Sequence, residues 1–248
     1  LLELHPWAES VRYARGGGDA MAVAVRIARA TTGRDKVAIC GYHGWHDWYL
    51  SVNLADNTGL NGHHLSGLSP TGTPPGLHGS AMTFRAGDTT RLEEIIADHG
   101  NNLAAVIIEP IRNTPPPVGY LELVRQSAHS CGALLVFDEV SAGFRLCCGG
   151  SHRVLGVNPD IAVLAKGMSN GYPMAAVFGT TNAMAGAQQS FISSTYWTDR
   201  IGPASALACI RKYRALRVWE RQEHIGKMLL AGWECLGHKH GLPVQSGG

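Results

Sequence analysis

The sequence has few charged residues and no long apolar run. Asp, Glu, Lys and Arg make up 16% of the 248 residues, and the formal net charge is only +2. The basic residues are scattered, which argues against a nucleic-acid-binding surface. The apolar runs are far too short to cross a bilayer, and no secretory signal pattern is expected. The composition therefore predicts a globular protein that binds neither nucleic acid nor membrane.

Cysteine is present, but not in a pattern that indicates disulfides or a zinc site. The six cysteines form no CxxC pair. We expect reduced, mostly buried thiols in a cytoplasmic protein. The adjacent pair Cys147 and Cys148 suggests no function.

The chain is long enough for one large α/β domain with a buried core. It begins at Leu1 and stops at Gly248, just after an apparent strand at 242–244. We therefore expect residues 1–248 to form one domain of a longer protein.

Short apolar segments alternate with amphipathic ones. The periodicity predicts strands at 36–40, 103–108, 133–137, 161–165 and 174–178. Helices are predicted at 20–32, 90–99 and 120–130, and from about 203 toward 219; a capping box from Thr90 to Glu93 would open the second. Apolar strands separated by helices indicate a mainly parallel sheet with helices on both faces.

Polar residues follow four of these strands: Glu109, Asp138, Lys166 and the segment 40–44. In parallel sheets, ligands bind at the carboxyl ends of the strands. Lys166 next to a dry core favours a nucleophilic amine that could form a Schiff base, although it could equally extend to solvent. Asp138 could hold a protonated ring nitrogen or cap a helix. Its neighbour Glu139 should point the other way and pair with an arginine such as Arg145.

Two further segments could bind a ligand. Three glycines at 16–18 lead into a helix, an arrangement suited to phosphate, although a flexible turn is the plainer interpretation. The segment fits neither GxGxxG nor GxxxxGK[ST]. In the cluster at 41–48, Tyr42 could stack on a flat ring. The alternatives are a packed aromatic loop, or a metal site made by His43, His46 and Asp47 that lacks any recognisable ligand spacing.

Together these segments resemble the class III aminotransferases, which depend on pyridoxal phosphate (PLP), and especially the branch containing glutamate-1-semialdehyde aminomutase. The resemblance spans about residues 11–230. The matching segments are RGGGDAMAVAVRIAR, CGYHGWHD, VIIEP, LLVFDEVSAGFR, GVNPDIAVLAKGMSNGYPMAAVFG and STYWTDRIGP. It implies the large, PLP-binding domain of the fold type I PLP-dependent transferase fold. The family's N-terminal segment and C-terminal small domain would be missing.

The resemblance also implies residue roles. Lys166 would carry the cofactor as a Schiff base and move the substrate proton, while Asp138 would bind the ring nitrogen. The other implied cofactor contacts are Gly17 and Gly18 on the phosphate, Tyr42 and Val140 on the ring faces, Glu109 nearby, and Thr198 reaching the phosphate of a neighbouring subunit. Thr198 thus implies a homodimer with a shared site.

This sequence departs from the family pattern at three positions. Gly18 stands where Ser or Thr is common, Asp19 where Glu is usual, and Ser141 where many members have Gln. The loss of a hydroxyl at residue 18 predicts weaker phosphate binding. The resemblance favours amino transfer between an amine or amino acid and a carbonyl compound. The alternatives are an aminomutase-type intramolecular transfer and a truncated PLP-fold protein without activity.

Overall fold

A computed structural model describes residues 1–194, 197 and 199–247 of the chain. Seven strands form one sheet in the order β1-β7-β6-β5-β4-β2-β3. Their bounds are β1 Ser10–Ala14, β2 Lys36–Cys40, β3 Ala81–Thr83, β4 Leu103–Ile108, β5 Leu134–Asp138, β6 Ile161–Leu164 and β7 Ala175–Gly179. In this sheet β7 runs opposite to the other six strands, which confirms the predicted mainly parallel α/β fold.

Helices cover both faces of the sheet, as predicted. The α-helices are α1 Gly17–Thr32, α2 Asp47–Leu50, α3 Thr89–His99, α4 Tyr120–Ser130, α5 His152–Leu155, α6 Gly186–Gln189, α7 Ile201–Ala215 and α8 Val218–His240. Alternate residues of the central strands point to opposite sides. One core therefore packs α1 and α6 on residues such as Ile107 and Val136, and the other packs α3 and α4 on residues such as Val106 and Phe137.

The apolar stripe of α1 explains its position against the sheet. Ala20, Ala24 and Ala28 are completely buried, and such small side chains bring the helix axis close to the strands. The helix ends at Gly33, whose left-handed backbone (φ 67°) allows its N–H to bind the Arg29 carbonyl. Close packing of α1 fixes its N-terminus at the carboxyl edge of the sheet.

Several local predictions were wrong. The N-cap of α3 is Asp88, whose Oδ1 accepts a hydrogen bond from the Arg91 N–H (3.0 Å), so the predicted capping box from Thr90 does not form. The single helix expected toward residue 219 is two helices, separated at Arg217, whose backbone is left-handed (φ 48°). Strand β1 was not predicted, because its residues are only half-buried and it pairs only at the sheet edge.

The apparent strand at 242–244 is instead the cap of α8. Gly241 is left-handed (φ 63°), and the Leu242 N–H bonds to the Gly237 carbonyl (2.9 Å), which is the pattern of a Schellman cap. Val244 then lies against Gly237, which leaves no space for a side chain there. The apolar residues that suggested a strand pack back onto the helix end.

Glu139 does not pair with Arg145. Its completely buried carboxylate accepts hydrogen bonds from Nδ1 of His152 (2.6 Å) and from the backbone N–H groups of Ser151 and His152. Burial alone would raise the pKa of Glu139, but these bonds outweigh it and leave the pKa lowered. Strand alternation correctly placed Glu139 away from Asp138, but spacing could not identify a partner in another element.

All six cysteines lie among the described residues, and all are free thiols. Burial raises the pKa of Cys40 to about 12, which makes this thiol a poor nucleophile. In the part of the chain that the structure describes, no helix combines the length and apolar character needed to span a membrane.

Candidate active site

A pocket of about 430 Å³ opens at the carboxyl edge of the sheet, where the sequence placed a site. It brings together residues that lie far apart in the chain, from the glycine segment, the 40–48 segment and the ends of β5 and β6. Predicted site residues that line it are Gly17, Gly18, Tyr42, Asp138, Val140 and Lys166. Other side chains that the sequence analysis did not assign to the cofactor site also line it, among them Arg15, Met21, Trp45, Ser141 and Tyr172.

Asp138 ends β5 with its side chain only 4% exposed. Its Oδ2 lies 2.8 Å from Nδ1 of His43, and its Oδ1 accepts a hydrogen bond from the Val140 N–H (3.0 Å). A buried carboxylate requires such partners to stay charged. The two donors therefore hold an anionic oxygen pair at the pocket wall.

Lys166 begins a short 3₁₀ turn, Lys166–Met168, which is separated from β6 by Ala165 alone. Its backbone is left-handed (φ 42°), an uncommon conformation for a non-glycine residue that often marks functional positions. Its Nζ donates a hydrogen bond to Oγ of Ser141 (2.8 Å). The side chain is exposed, as in the alternative in which Lys166 extends to solvent, and the pocket opens beside it.

The glycine segment lines the same pocket as Lys166, with Gly16 as the N-cap of α1 and Gly17 as its first residue. A Cβ atom on Gly17 would lie 2.6 Å from Cγ1 of Val140, a distance that real Cβ contacts essentially never show. The missing side chain thus allows the helix N-terminus to contact Val140. The N–H groups at this terminus, with the helix dipole, favour an anion.

Glu109 contacts the backbone of Tyr42 and does not itself line the pocket. Its Oε2 accepts a hydrogen bond from the Tyr42 N–H (3.0 Å), and Arg112 donates to both of its oxygens (2.9 and 2.6 Å). Glu109 does not line the pocket, while Tyr42 does. The Glu109–Arg112 pair therefore fixes the backbone that carries the Tyr42 ring.

Arg15 and Tyr172 lie at the pocket rim. Arg15 forms a salt bridge with Asp199, donates to the Pro173 carbonyl (3.2 Å), and places its guanidinium 5.7 Å from the centre of the Tyr172 ring. Hydrogen bonds from the Ile201 N–H and from Arg15 lower the pKa of Asp199. No sequence signal identified this group, since Asp199 follows the glycine segment by about 180 residues.

The remaining predictions have separate outcomes. Thr198 lies outside the described residues. His43 bonds to Asp138, while the His46 ring stacks on Trp45. Among the described residues there is no group of three or more His, Cys, Asp or Glu side chains that could hold a metal ion.

Known proteins share this chain's sequence and fold. The family described as "Aminotransferase class-III" matches residues 1–245. The chain is 34% identical over 251 residues to 3-aminobutyryl-CoA aminotransferase of Cloacimonas acidaminovorans (strain Evry), covering 98% of this chain and 56% of that protein. It is also 34% identical over 236 residues to glutamate-1-semialdehyde 2,1-aminomutase 1 of Cenarchaeum symbiosum (strain A), covering 91% and 54%.

A solved structure, the FumI protein of Sphingopyxis sp. MTA144 with PLP, superposes with a TM-score of 0.82 at 27% identity, covering 98% of this chain and 57% of that one. The chain thus spans little more than half the length of these relatives. Within that span, fold and sequence agree along almost the whole chain, and the chain belongs to the class III aminotransferase family.

Proposed function

We propose that this chain is the large, cofactor-binding domain of a PLP-dependent aminotransferase, which moves an amino group between an amine or amino acid and a carbonyl acceptor. The observation that carries the proposal is the shared pocket of Lys166, Asp138 and the glycine segment at residues 16–18. The Lys166 amine can bind an aldehyde, the Asp138 carboxylate can bind a protonated pyridine nitrogen, and the helix N-terminus can bind a phosphate. These are the three polar groups of PLP.

The pocket fits PLP on three structural grounds. Its volume of about 430 Å³ lies within the range of small-molecule sites. The buried Asp138 carboxylate is held by two donors and presents negative charge to the pocket. The glycine segment forms a cradle that a Cβ atom on Gly17 would fill. PLP would be held by Lys166, Asp138, Gly17 and Gly18, with Tyr42 and Val140 against the ring.

When bound, PLP supplies an electron sink that stabilises negative charge on the substrate carbon. Asp138 would hold the protonated ring nitrogen through its carboxylate. Lys166 would hold the cofactor through Nζ and would take up and return the substrate proton. Ser141 accepts a hydrogen bond from Lys166 Nζ and so orients it. Glu109 fixes the backbone of the Tyr42 ring.

An intramolecular amino transfer is the second candidate, because one relative at 34% identity is an aminomutase. It would use the same residues of this pocket, so the two reactions differ mainly in whether the intermediate is retained. A non-catalytic PLP-fold protein is a weaker alternative, since Lys166 and Asp138 both line the pocket.

The proposed assembly is a homodimer with a shared site, in the cytoplasm, acting on small amines or amino acids and carbonyl compounds. The dimer is supported by the match of Thr198 to a family position that reaches the neighbouring subunit. It is also supported by exposed apolar side chains on α8, such as Met228 (62% exposed) and Trp233 (55%).

The test is the absorption spectrum of the purified chain with PLP, before and after borohydride. The parent should show a visible band that borohydride removes, together with a fixed adduct on the Lys166 peptide by mass spectrometry. Lys166→Ala should lose both. Lys227→Ala is the matched control, because Lys227 is an exposed lysine on α8 outside the pocket. A parent without the band, or an adduct fixed elsewhere, would contradict the proposal.

A further inference from the structure

We propose that Ser141 is a positioning residue that speeds both the capture and the release of an aldehyde by Lys166 and leaves the affinity for that aldehyde nearly unchanged. The inference rests on the proposed function, because Lys166 is the residue that would bind the cofactor aldehyde. It gives a role of its own to a position at which this sequence departs from the family pattern.

The Ser141 hydroxyl lies at the reacting amine. Its Oγ accepts a hydrogen bond from Lys166 Nζ (2.8 Å), and both residues line the pocket. A hydroxyl oxygen can accept this bond on one lone pair and still donate its own hydrogen to another group. One N–H of the amine therefore points at Ser141, and the rest of the nitrogen can meet a ligand in the pocket.

Backbone contacts fix the turn that carries Ser141. The Glu139 N–H bonds to the Val163 carbonyl (2.9 Å), which ties the start of the turn to β6, the strand before Lys166. The Gly143 N–H bonds to the Glu139 carbonyl (2.7 Å) and closes the turn. A Cβ atom on Gly143 would lie 2.7 Å from that carbonyl oxygen, so the turn requires a glycine there. Ser141 therefore sits on backbone that is anchored to β6.

The turn that begins with Lys166 packs on the same segment from the other side. A Cβ atom on Gly167 would lie 3.0 Å from Cβ of Phe144 and 3.2 Å from the Gly143 carbonyl oxygen. These distances are tighter than most real Cβ contacts, so the missing side chain of Gly167 allows the two turns to approach closely. The Ser141 hydroxyl and the Lys166 amine are therefore held together by the packing of the backbone that carries them.

The hydrogen bond to Ser141 is strongest while Lys166 attacks an aldehyde. The Nζ lone pair attacks the aldehyde carbon, a C=N bond replaces the C=O bond, and the oxygen leaves as water with both amine hydrogens. During the attack the nitrogen becomes positively charged, and a charged N–H is a stronger donor than a neutral one. The neutral product has no N–H left to donate. An interaction made mainly in the transition state speeds the reaction in both directions without a matching change in affinity.

The test measures how fast the absorption band forms with PLP and with pyridoxal, by stopped-flow mixing over a range of aldehyde concentrations. The rates give association and dissociation rate constants for the parent, Ser141→Ala and Ser141→Thr. In Ser141→Ala both constants should fall about five- to tenfold, as for loss of a charged hydrogen bond that solvent can reach, while the dissociation constant changes less than about threefold. Ser141→Thr keeps the hydroxyl and should keep the parental rates. Ser130→Ala is the control, because Ser130 is exposed and outside the pocket.

A pH series separates positioning from a change in the charge of the amine. The proteins are compared on the high-pH plateau, where the rate no longer rises because the amine is already neutral. PLP and pyridoxal should be slowed by the same factor there, since Ser141 acts at the aldehyde and not at the phosphate. Equal plateau rates in the parent and Ser141→Ala, a loss of affinity without slower dissociation, or Ser141→Thr as slow as Ser141→Ala would overturn the inference.

A second measurement needs no cofactor. Acetic anhydride transfers an acetyl group to a neutral amine, acetate leaves and a proton passes to solvent, so the attacking nitrogen again becomes positively charged on the way. Peptide mass spectrometry compares acetylation of Lys166 with that of Lys227, an exposed lysine on α8, in the same sample. The ratio should fall about five- to tenfold in Ser141→Ala. An unchanged ratio contradicts this inference alone, whereas a parent that is acetylated at Lys166 but forms no absorption band with either aldehyde overturns the proposed function and the aldehyde chemistry inferred from it.

Discussion

His43 and Asp138 form a buried pair in which Nδ1 of the imidazole lies 2.8 Å from Oδ2 of the carboxylate. The other ring nitrogen, Nε2, lies 3.2 Å from the Cys40 carbonyl oxygen. Both nitrogens thus face oxygens, and a carbonyl can only accept. The imidazole and the carboxylate, whose side chains are 0% and 4% exposed, are therefore polar partners inside the core.

Replacing His43 should leave the Asp138 carboxylate buried with only the Val140 N–H as a donor. His43→Phe is therefore expected to lower the free energy of unfolding by about 3 kcal/mol, the usual cost of removing one partner of a buried pair. Urea denaturation of the apo chain measures this change. Adding Asp138→Asn to His43→Phe should recover part of the loss, and strictly additive costs would show that the two side chains are not coupled.

Gly17 and Val140 should form a second coupled pair. Here the coupling is steric and does not involve charge. Gly17→Ala places a Cβ atom 2.6 Å from Cγ1 of Val140, so we expect a loss of about 1–3 kcal/mol in stability and weaker PLP binding. Val140→Ala removes that methyl group, while its own Cβ would stay 3.4 Å away.

The double variant Gly17→Ala with Val140→Ala should therefore bind PLP more tightly than Gly17→Ala alone. Gly76→Ala is a suitable control, because nothing lies within 4 Å of a Cβ atom at that exposed position. If Val140→Ala restores none of the PLP affinity lost in Gly17→Ala, the steric contact between these two residues does not determine how the glycine segment binds the cofactor.

Glu109→Gln tests whether this carboxylate contributes to cofactor binding through Tyr42. The amide keeps one oxygen but loses the charge that Arg112 binds at 2.6 and 2.9 Å. We expect a stability loss of about 1–3 kcal/mol from the weakened charged hydrogen bonds, with a smaller change in PLP affinity than Asp138→Asn gives. Thermal unfolding and PLP titration separate the two effects. A PLP loss as large as that of Asp138→Asn would indicate a direct contact.

The sequence predicted the positions of the pocket residues better than it predicted the side chains that hydrogen-bond to them. Asp138 and Lys166 were placed correctly because apolar strands end where the polar residues begin, and parallel strands share one carboxyl edge. The position of His43 beside Asp138 was not predicted, since a contact across 95 residues leaves no periodic signal. The same reason applies to Glu139. Its partner, His152, begins helix α5 after a loop of glycines and cysteines.

The sequence analysis also failed to predict how some helices end. Gly241 was not recognised as a cap because the residues after it are apolar and suggest a strand. Their hydrophobic contact with the helix end is part of the cap itself. Apolar periodicity alone cannot separate the two arrangements over three residues.

His5 makes the stability of the N-terminal segment depend on pH. Its Nδ1 donates to the Leu1 carbonyl (2.9 Å), and its Nε2 accepts from the Gly150 N–H (3.0 Å), so the native ring is neutral. Burial lowers its pKa to about 4, from an ordinary value of 6.5, and the neighbouring His152 and Arg153 also lower it. A proton on Nε2 would break the bond from Gly150 and bury a charge.

The sign of the effect follows from the two states. Between about pH 6.5 and 4 the unfolded chain binds a proton at His5 that the folded chain does not, so acid favours unfolding. We expect the free energy of unfolding to fall by about 3 kcal/mol from this group as pH drops through that window. Urea denaturation at a series of pH values, for the parent and His5→Gln, isolates the contribution. The variant keeps an acceptor for Gly150 but cannot titrate, so its stability should fall less steeply; parallel curves for the two proteins would show that His5 is not the group responsible.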